Sequence, residues 1–234
     1  MDLAANLSAI QSRMRAACER AGRAPETVTL LAVAKHQPPE AVSAVAALGV
    51  GFIGENRVQE ARLKIPQCPG RLRWHMIGHL QTNKVRDAVE LFTMIESVDS
   101  LRLAEEISKR AALAAKTMPI LLEVNVAGEA SKFGYPPARL LEELLQLNAL
   151  PRIELHGLMC VPPAKPLAEQ VRPFFRELRE LKTRCEEALG ASLPHLSMGM
   201  SGDFEVAIEC GANLVRVGGA VIGPPQVEEA ADEA

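Results

Sequence analysis

Residues 119–159 read PILLEVNVAGEASKFGYPPARLLEELLQLNALPRIELHGLM. PILLEVNV (119–126) is the clearest strand in the chain, a near-continuous apolar run of the kind that is covered on both faces. Residues 136–148 read as a helix, and IELHGLM (153–159) is again a strand. Strand, helix and strand in this order make a βαβ unit, which calls for parallel pairing. Between the first strand and the helix lies the polar loop 127–134, with Gly128-Glu129 and Lys132-Phe133-Gly134. It reads either as a solvated loop or as a lid carrying a second lysine, Lys132.

The same rhythm extends outward in both directions. An opening helix covers about residues 3–22, with Leu7, Ile10, Met14 and Cys18 at helical spacing. VTLLAVA (28–34), GFIGEN (51–56), LRWHMIG (72–78) and FTMIESV (92–98) read as strands, followed by helices over 38–48, 58–65, 80–90 and 100–116. Downstream lie a long amphipathic helix over 166–190, the strand HLSMGM (195–200), a helix over 203–210, and a last strand and turn in ANLVRVGGAVIG (212–223). About eight βα units predict an α/β fold, a single closed (β/α)8 TIM-like barrel over residues 1–225. An open doubly wound sheet is the other arrangement the pattern permits. The acidic residues 226–234 are expected to be disordered.

Composition narrows the function classes. The chain has 234 residues, enough to bury a core without disulfides or metals. With aromatics at only 3%, that core must be aliphatic. A net charge of -3 does not supply the basic face that nucleic-acid binding needs. The five cysteines (18, 68, 160, 185 and 210) are odd in number and lack a CxxC, so free thiols are expected. The first twenty residues carry charges throughout and no apolar core of a secretory signal. No apolar run reaches the roughly 18 residues of a membrane span, so a cytoplasmic protein is expected.

In a barrel of this kind, functional groups gather at the carboxyl ends of the strands. The polar or unusual residues at those positions are Lys35, Glu55-Asn56, His79, Asn125 with Lys132, Met159, Ser201, and Arg216 to Gly219. Lys35 closes an apolar strand, where an ammonium is costly to bury. It is either a desolvated amine held in its neutral, nucleophilic form or a lysine snorkelling to water. The turns at Ser201-Gly202 and Gly218-Gly219 follow the last two strands, where backbone N–H groups can cradle a phosphate; tight turns are the alternative. Asp203 is a candidate start for the helix after Ser201. Arg216 points the same way as Gly218 by the strand period of two, and serves either a ligand or a salt bridge. Asn56 either bonds a ligand or caps the next helix. His75 and His79 are four apart, but in a strand end and turn, so a metal site is not expected.

Six segments carry a family resemblance: LLAVAKHQP (30–38), GFIGENRVQE (51–60), WHMIGHLQTNK (74–84), LEVNVAGEASKFGY (122–135), HGLMCVPP (156–163) and LSMGMSGDFEVAIECGANLVRVGGAVIG (196–223). In these the chain resembles the pyridoxal phosphate homeostasis protein family, whose fold is similar to the barrel domain of alanine racemase. The resemblance implies pyridoxal 5'-phosphate (PLP) as cofactor, held as a Schiff base on Lys35. It implies phosphate contacts at Ser201-Gly202 and Gly218-Gly219, Arg216 at the pyridine nitrogen, and Asn56 at the cofactor. It implies reversible storage of PLP and its delivery to PLP-dependent apoenzymes, with no catalytic residues and no metal. Members usually carry Ser or Thr where this chain has Gly219, and commonly Ser and Thr where it has Ala34 and His36. The alternatives are a PLP-dependent racemase or decarboxylase and a cofactor-free Schiff-base aldolase using Lys35. Racemases of this type add a C-terminal domain that this chain, ending soon after Val221-Ile222-Gly223, has no room for; a monomer is therefore expected. For such an enzyme Tyr135 is the one phenolic acid/base candidate.

Overall fold

The computed structural model describes residues 2–165 and 167–224. After an opening helix α1 (Leu3–Arg20), strands and helices alternate: β1 (Thr29–Val33), α2 (Pro39–Ala47), β2 (Phe52–Glu55), α3 (Val58–Lys64), β3 (Arg73–Met76), α4 (Val85–Leu91), β4 (Met94–Val98) and α5 (Leu101–Leu113). The second half continues with β5 (Met118–Glu123), α6 (Pro137–Ala149), β6 (Ile153–Met159), α7 (Arg172–Leu189), β7 (His195–Ser197), α8 (Phe204–Glu209), β8 (Leu214–Val217) and the single turn α9 (Gly219–Ile222). The eight strands pair in sequence order, all parallel, and β8 closes on β1 with Leu31 opposite Arg216. This is the single (β/α)8 barrel expected; the open sheet is not formed.

The strand period of two divides the core. Leu31, Met94, Leu121, Met159 and Leu214 form a small cluster inside the barrel, joined by Val33, Phe52 and Ile77. Their neighbours Ala32, Ile95, Leu122, Leu158 and Val215 belong to the much larger layer between barrel and helices. The barrel interior is therefore filled rather than open, as the taper of eight strands requires. Apart from Phe52, every residue of this inner cluster is aliphatic or Met, as the aromatic-poor composition implied.

Several boundaries differ from the sequence reading. β1 stops at Val33, so Lys35 lies two residues past the strand, in a turn. The long helix begins at Arg172 rather than 166: residues 168–171 make a 3-10 turn, and Pro173 sits in the first helical turn, where it needs no N–H partner. Residues 219–222 coil into a helical turn after β8. Residue 225 and the acidic segment 226–234 lie outside the described residues. Among the described residues no helix is long and apolar enough to cross a membrane, and no cluster of metal-ligating side chains occurs.

Candidate cofactor site at the carboxyl ends of the strands

The barrel order brings the candidate residues to one half of its rim. Ser201 follows β7, Arg216 and Gly218-Gly219 belong to β8 and its turn, Lys35 follows β1, and Asn56 follows β2; these four strands are consecutive neighbours. A Cβ on Gly218 would sit 3.5 Å from Cβ of Val33, which measures how closely the end of β8 approaches the end of β1.

Lys35 is exposed, as the snorkelling alternative has it, and stands past the strand end rather than closing it. The backbone around it is what is fixed. Ala34 N–H donates to Gly54 O at 2.9 Å, and Gln37 N–H to Ala34 O at 3.1 Å. His36 has φ 57°, a left-handed conformation that costs an L-residue about 1–2 kcal/mol. Its N–H donates to Glu60 Oε2 at 3.2 Å, and Lys64 Nζ donates to Ala34 O at 2.7 Å. The turn is thus held by β2 and α3.

Asn56 is half-buried and is not the helix cap; that position falls to Arg57. Gly78 lies against it: a Cβ there would overlap the Asn56 carbonyl and sit 2.8 Å from its Cα. Ser201 and Gly202 form the turn before α8. Asp203 is the residue before that helix, but its carboxylate accepts the Met200 N–H at 2.6 Å, tightening the turn rather than capping the helix. At Gly219 a Cβ would meet nothing within 4 Å. The space beside it is open, and the first N–H groups of a helical turn have no partner within it.

Arg216 is buried inside the barrel. Nη1 donates to Ser197 Oγ at 2.6 Å and Nη2 to the Cys160 carbonyl at 2.7 Å. Ser197 Oγ in turn donates to Glu96 Oε2 at 2.6 Å, and His75 Nδ1 lies 2.6 Å from Glu96 Oε1. Burial alone would push the Glu96 carboxyl up, but the bonds with His75 and Ser197 and the charge of Arg216 hold it below its ordinary value. His75 and His79 part company: His79 Nδ1 lies 3.2 Å from Asp99 Oδ2, and its ring stacks on Phe133 at 3.6 Å. Glu123, ending β5, is pushed up to about 7 by burial and by Asp99, against the opposing charge of Arg216.

The loop after β5 is organised by Asn125, whose side chain donates to the Glu129 carbonyl at 2.8 Å and accepts the Glu129 N–H at 3.2 Å. Lys132 donates to Pro162 O at 2.8 Å, tying this loop to the one after β6. Glu96, Ser197, Lys64 and Glu123 were not singled out from sequence. Glu96 and Ser197 did leave a trace, as polar residues inside the apolar runs FTMIESV and HLSMGM. Lys64 left none, because VQEARLKI reads as an ordinary polar helix face.

A closed barrel carrying a lysine after β1, a buried arginine on β8 and glycine turns after β7 and β8 defines a class. Residues 5–225 match the family described as alanine racemase, N-terminal domain. The chain is 44% identical over 224 residues to a pyridoxal phosphate homeostasis protein of Aquifex aeolicus, covering 95% of this chain and 98% of that one. It is 40% identical over 226 residues to the protein of the same name from Pseudomonas aeruginosa, covering 94% and 95%. Its fold is similar to that of PipY from Synechococcus elongatus with PLP bound, at TM-score 0.84 and 35% identity, covering 95% of this chain and all of that one. The chain belongs to the pyridoxal phosphate homeostasis protein family.

Proposed function

We propose that this protein binds PLP at the β7–β8–β1–β2 rim and serves PLP homeostasis as a non-catalytic carrier, with Lys35 as the attachment point. The observation that supports it most is the convergence of Lys35, Arg216 and the two glycine turns on neighbouring strand ends, in a chain similar over 95% of its length to PipY, whose structure has PLP bound. PLP supplies an aldehyde that condenses reversibly with a neutral amine, releasing one water and consuming no oxidant or reductant. Lys35 offers a primary amine from a turn whose backbone is fixed and whose side chain is exposed. Arg216 would hold the ring nitrogen, preset by Ser197 and the Cys160 carbonyl. Ser201, Gly202, Gly218 and Gly219 would hold the phosphate through a hydroxyl and backbone N–H groups. Asn56 would contact the ring, seated by Gly78. The donor set matches the group: one amine, one fixed cation and open backbone at the anion end.

Carriage rather than catalysis is supported by Tyr135. It is fully buried among core residues. Burial, reinforced by Glu143, pushes its phenol above the ordinary value, a poor setting for proton exchange with a substrate. Delivery of the stored PLP to apoenzymes extends the same reading. Incubating the PLP-loaded protein with L- and D-amino acids tests it: no racemisation or decarboxylation beyond one equivalent is expected, and multiple turnover would refute the carrier role.

Gly219 stands where the family resemblance implies Ser or Thr. A side chain fits there without collision. Gly219→Ser or Thr adds a hydroxyl to the phosphate end, and a net hydrogen bond is worth about 0.5–1.5 kcal/mol. PLP binding should tighten about three- to tenfold by titration, by the usual free-energy conversion. Unchanged or weaker affinity would remove the hydroxyl as the explanation.

A further inference from the structure

Lys64 is 6% exposed, at the last position of α3. Its ammonium makes two contacts, with the Glu55 carboxylate and with the Ala34 carbonyl. Glu55 is fully buried and immediately precedes Asn56; Ala34 immediately precedes Lys35. One buried cation therefore joins the loops that carry two proposed cofactor contacts. The pair is a poor stabilising device by its own geometry: Glu55 Oε2 is buried without a hydrogen-bond partner among the described residues. Buried ion pairs gain little over apolar residues of the same volume, and less when an oxygen is left unsatisfied. What the pair does supply is position. Around Lys35, the Ala34 N–H, the Ala34 carbonyl and the His36 N–H are all held by β2 and α3, through Gly54 O, Lys64 Nζ and Glu60 Oε2. Together they hold the left-handed turn at His36.

We infer that Lys64, with Glu55 and Glu60, is a positioning unit that aims Lys35 at the cofactor aldehyde. It touches neither cofactor nor reacting atoms; it acts through the peptide groups on either side of Lys35. The inference rests on the reading of Lys35 as the PLP attachment point. It assigns to α3 a role in how fast and how completely that attachment forms, separate from how well the phosphate and ring are held by β7 and β8.

The test separates these two. Wild type, the Glu55→Gln/Lys64→Met double variant (which leaves no unpaired buried charge) and Glu60→Ala are mixed with PLP. Attachment is followed by visible absorbance and by borohydride trapping with peptide mapping. Each protein is also titrated with pyridoxine 5'-phosphate, which lacks the aldehyde. The double variant should attach PLP about tenfold more slowly and less completely, with pyridoxine 5'-phosphate affinity within about twofold, because small losses of aim cost rate before they cost binding. Glu60→Ala, on a half-exposed residue, should move the same way by about threefold, and keeps the test open if the double variant does not fold. Attachment and analogue affinity falling together would reduce Lys64 to a general structural role. No change in either would remove it from the site. Wild type labelled at a lysine other than Lys35 would instead overturn the PLP reading itself, an outcome the first arm shows before any variant is made.

Discussion

Lys35→Ala should abolish covalent attachment of PLP and leave only a weak, non-covalent complex. Only a neutral primary amine condenses with the aldehyde, and alanine offers none. Among the other lysines, Lys64 is committed to Glu55 and the Ala34 carbonyl, and Lys132 to Pro162 O at 2.8 Å on the far side of the rim, after β5. Phosphate and ring contacts remain in the variant, so affinity should fall by about a hundredfold or more rather than vanish, a loss of roughly 3 kcal/mol. Loss of the visible absorbance band, and no borohydride-stable mass increase, are the expected results. A label that persists, or that maps in wild type to Lys132 or Lys84, removes Lys35 from the role.

Glu96→Gln should be the most destabilising conservative change in the site. The Glu96 carboxylate sits inside the barrel with His75 and Ser197 each 2.6 Å from one of its oxygens, and it is the counter-charge to Arg216. Glutamine keeps the shape but removes the charge and turns one acceptor into a donor. Removing one partner of a buried charged set costs about 3–5 kcal/mol. Arg216 loses the group that anchors Ser197, so PLP retention should fall as well. The pH dependence follows from sign. The folded-state carboxyl is held below its ordinary value, so it binds fewer protons folded than unfolded. Its contribution is present above the unfolded value, near about 4.3, and fades as pH falls through the folded one. The stability gap between wild type and Glu96→Gln should be widest at neutral pH and shrink in acid. Denaturant unfolding at several pH values checks this; equal midpoints at pH 7 would show that the interior network carries no such energy.

Much of the barrel was legible because each strand is an apolar run bounded by turn residues; IELHGLM matches β6 residue for residue. HLSMGM was read too long. The strand keeps only His195–Ser197; Met198 and Gly199 still bond to β8, but the φ of 94° at Gly199 is one that no strand adopts. Strand parity placed Arg216 on the same side as Gly218 without saying that this side is the barrel interior, and the rim positions of Lys35, Asn56, Ser201 and the glycines followed from the fold class. Burial did not follow. Whether Lys35, abutting VTLLAVA, is desolvated or reaches water was open from sequence; two residues of turn bring it to the surface. The lysine that is buried, Lys64, stands in a polar helix face. The ion network could not be read either, since His75, Glu96, Ser197 and Arg216 meet across the barrel from four strands, and one sequence carries no sign of which side chains face one another inside it.

The pairing of β1 with β8 has a consequence for the order of events during synthesis. Leu31 and Arg216 are partners, so the two halves of the proposed cofactor site are among the most widely separated contacts in the chain. Lys35 and Asn56 leave the ribosome early; Ser201, Arg216 and Gly218-Gly219 leave it near the end. A nascent or shortened chain that already displays Lys35 therefore lacks both the proposed phosphate cradle and the arginine. Pairings this distant also tend to form late in folding. On the proposed reading, PLP can occupy the rim only once the last strand has closed the ring.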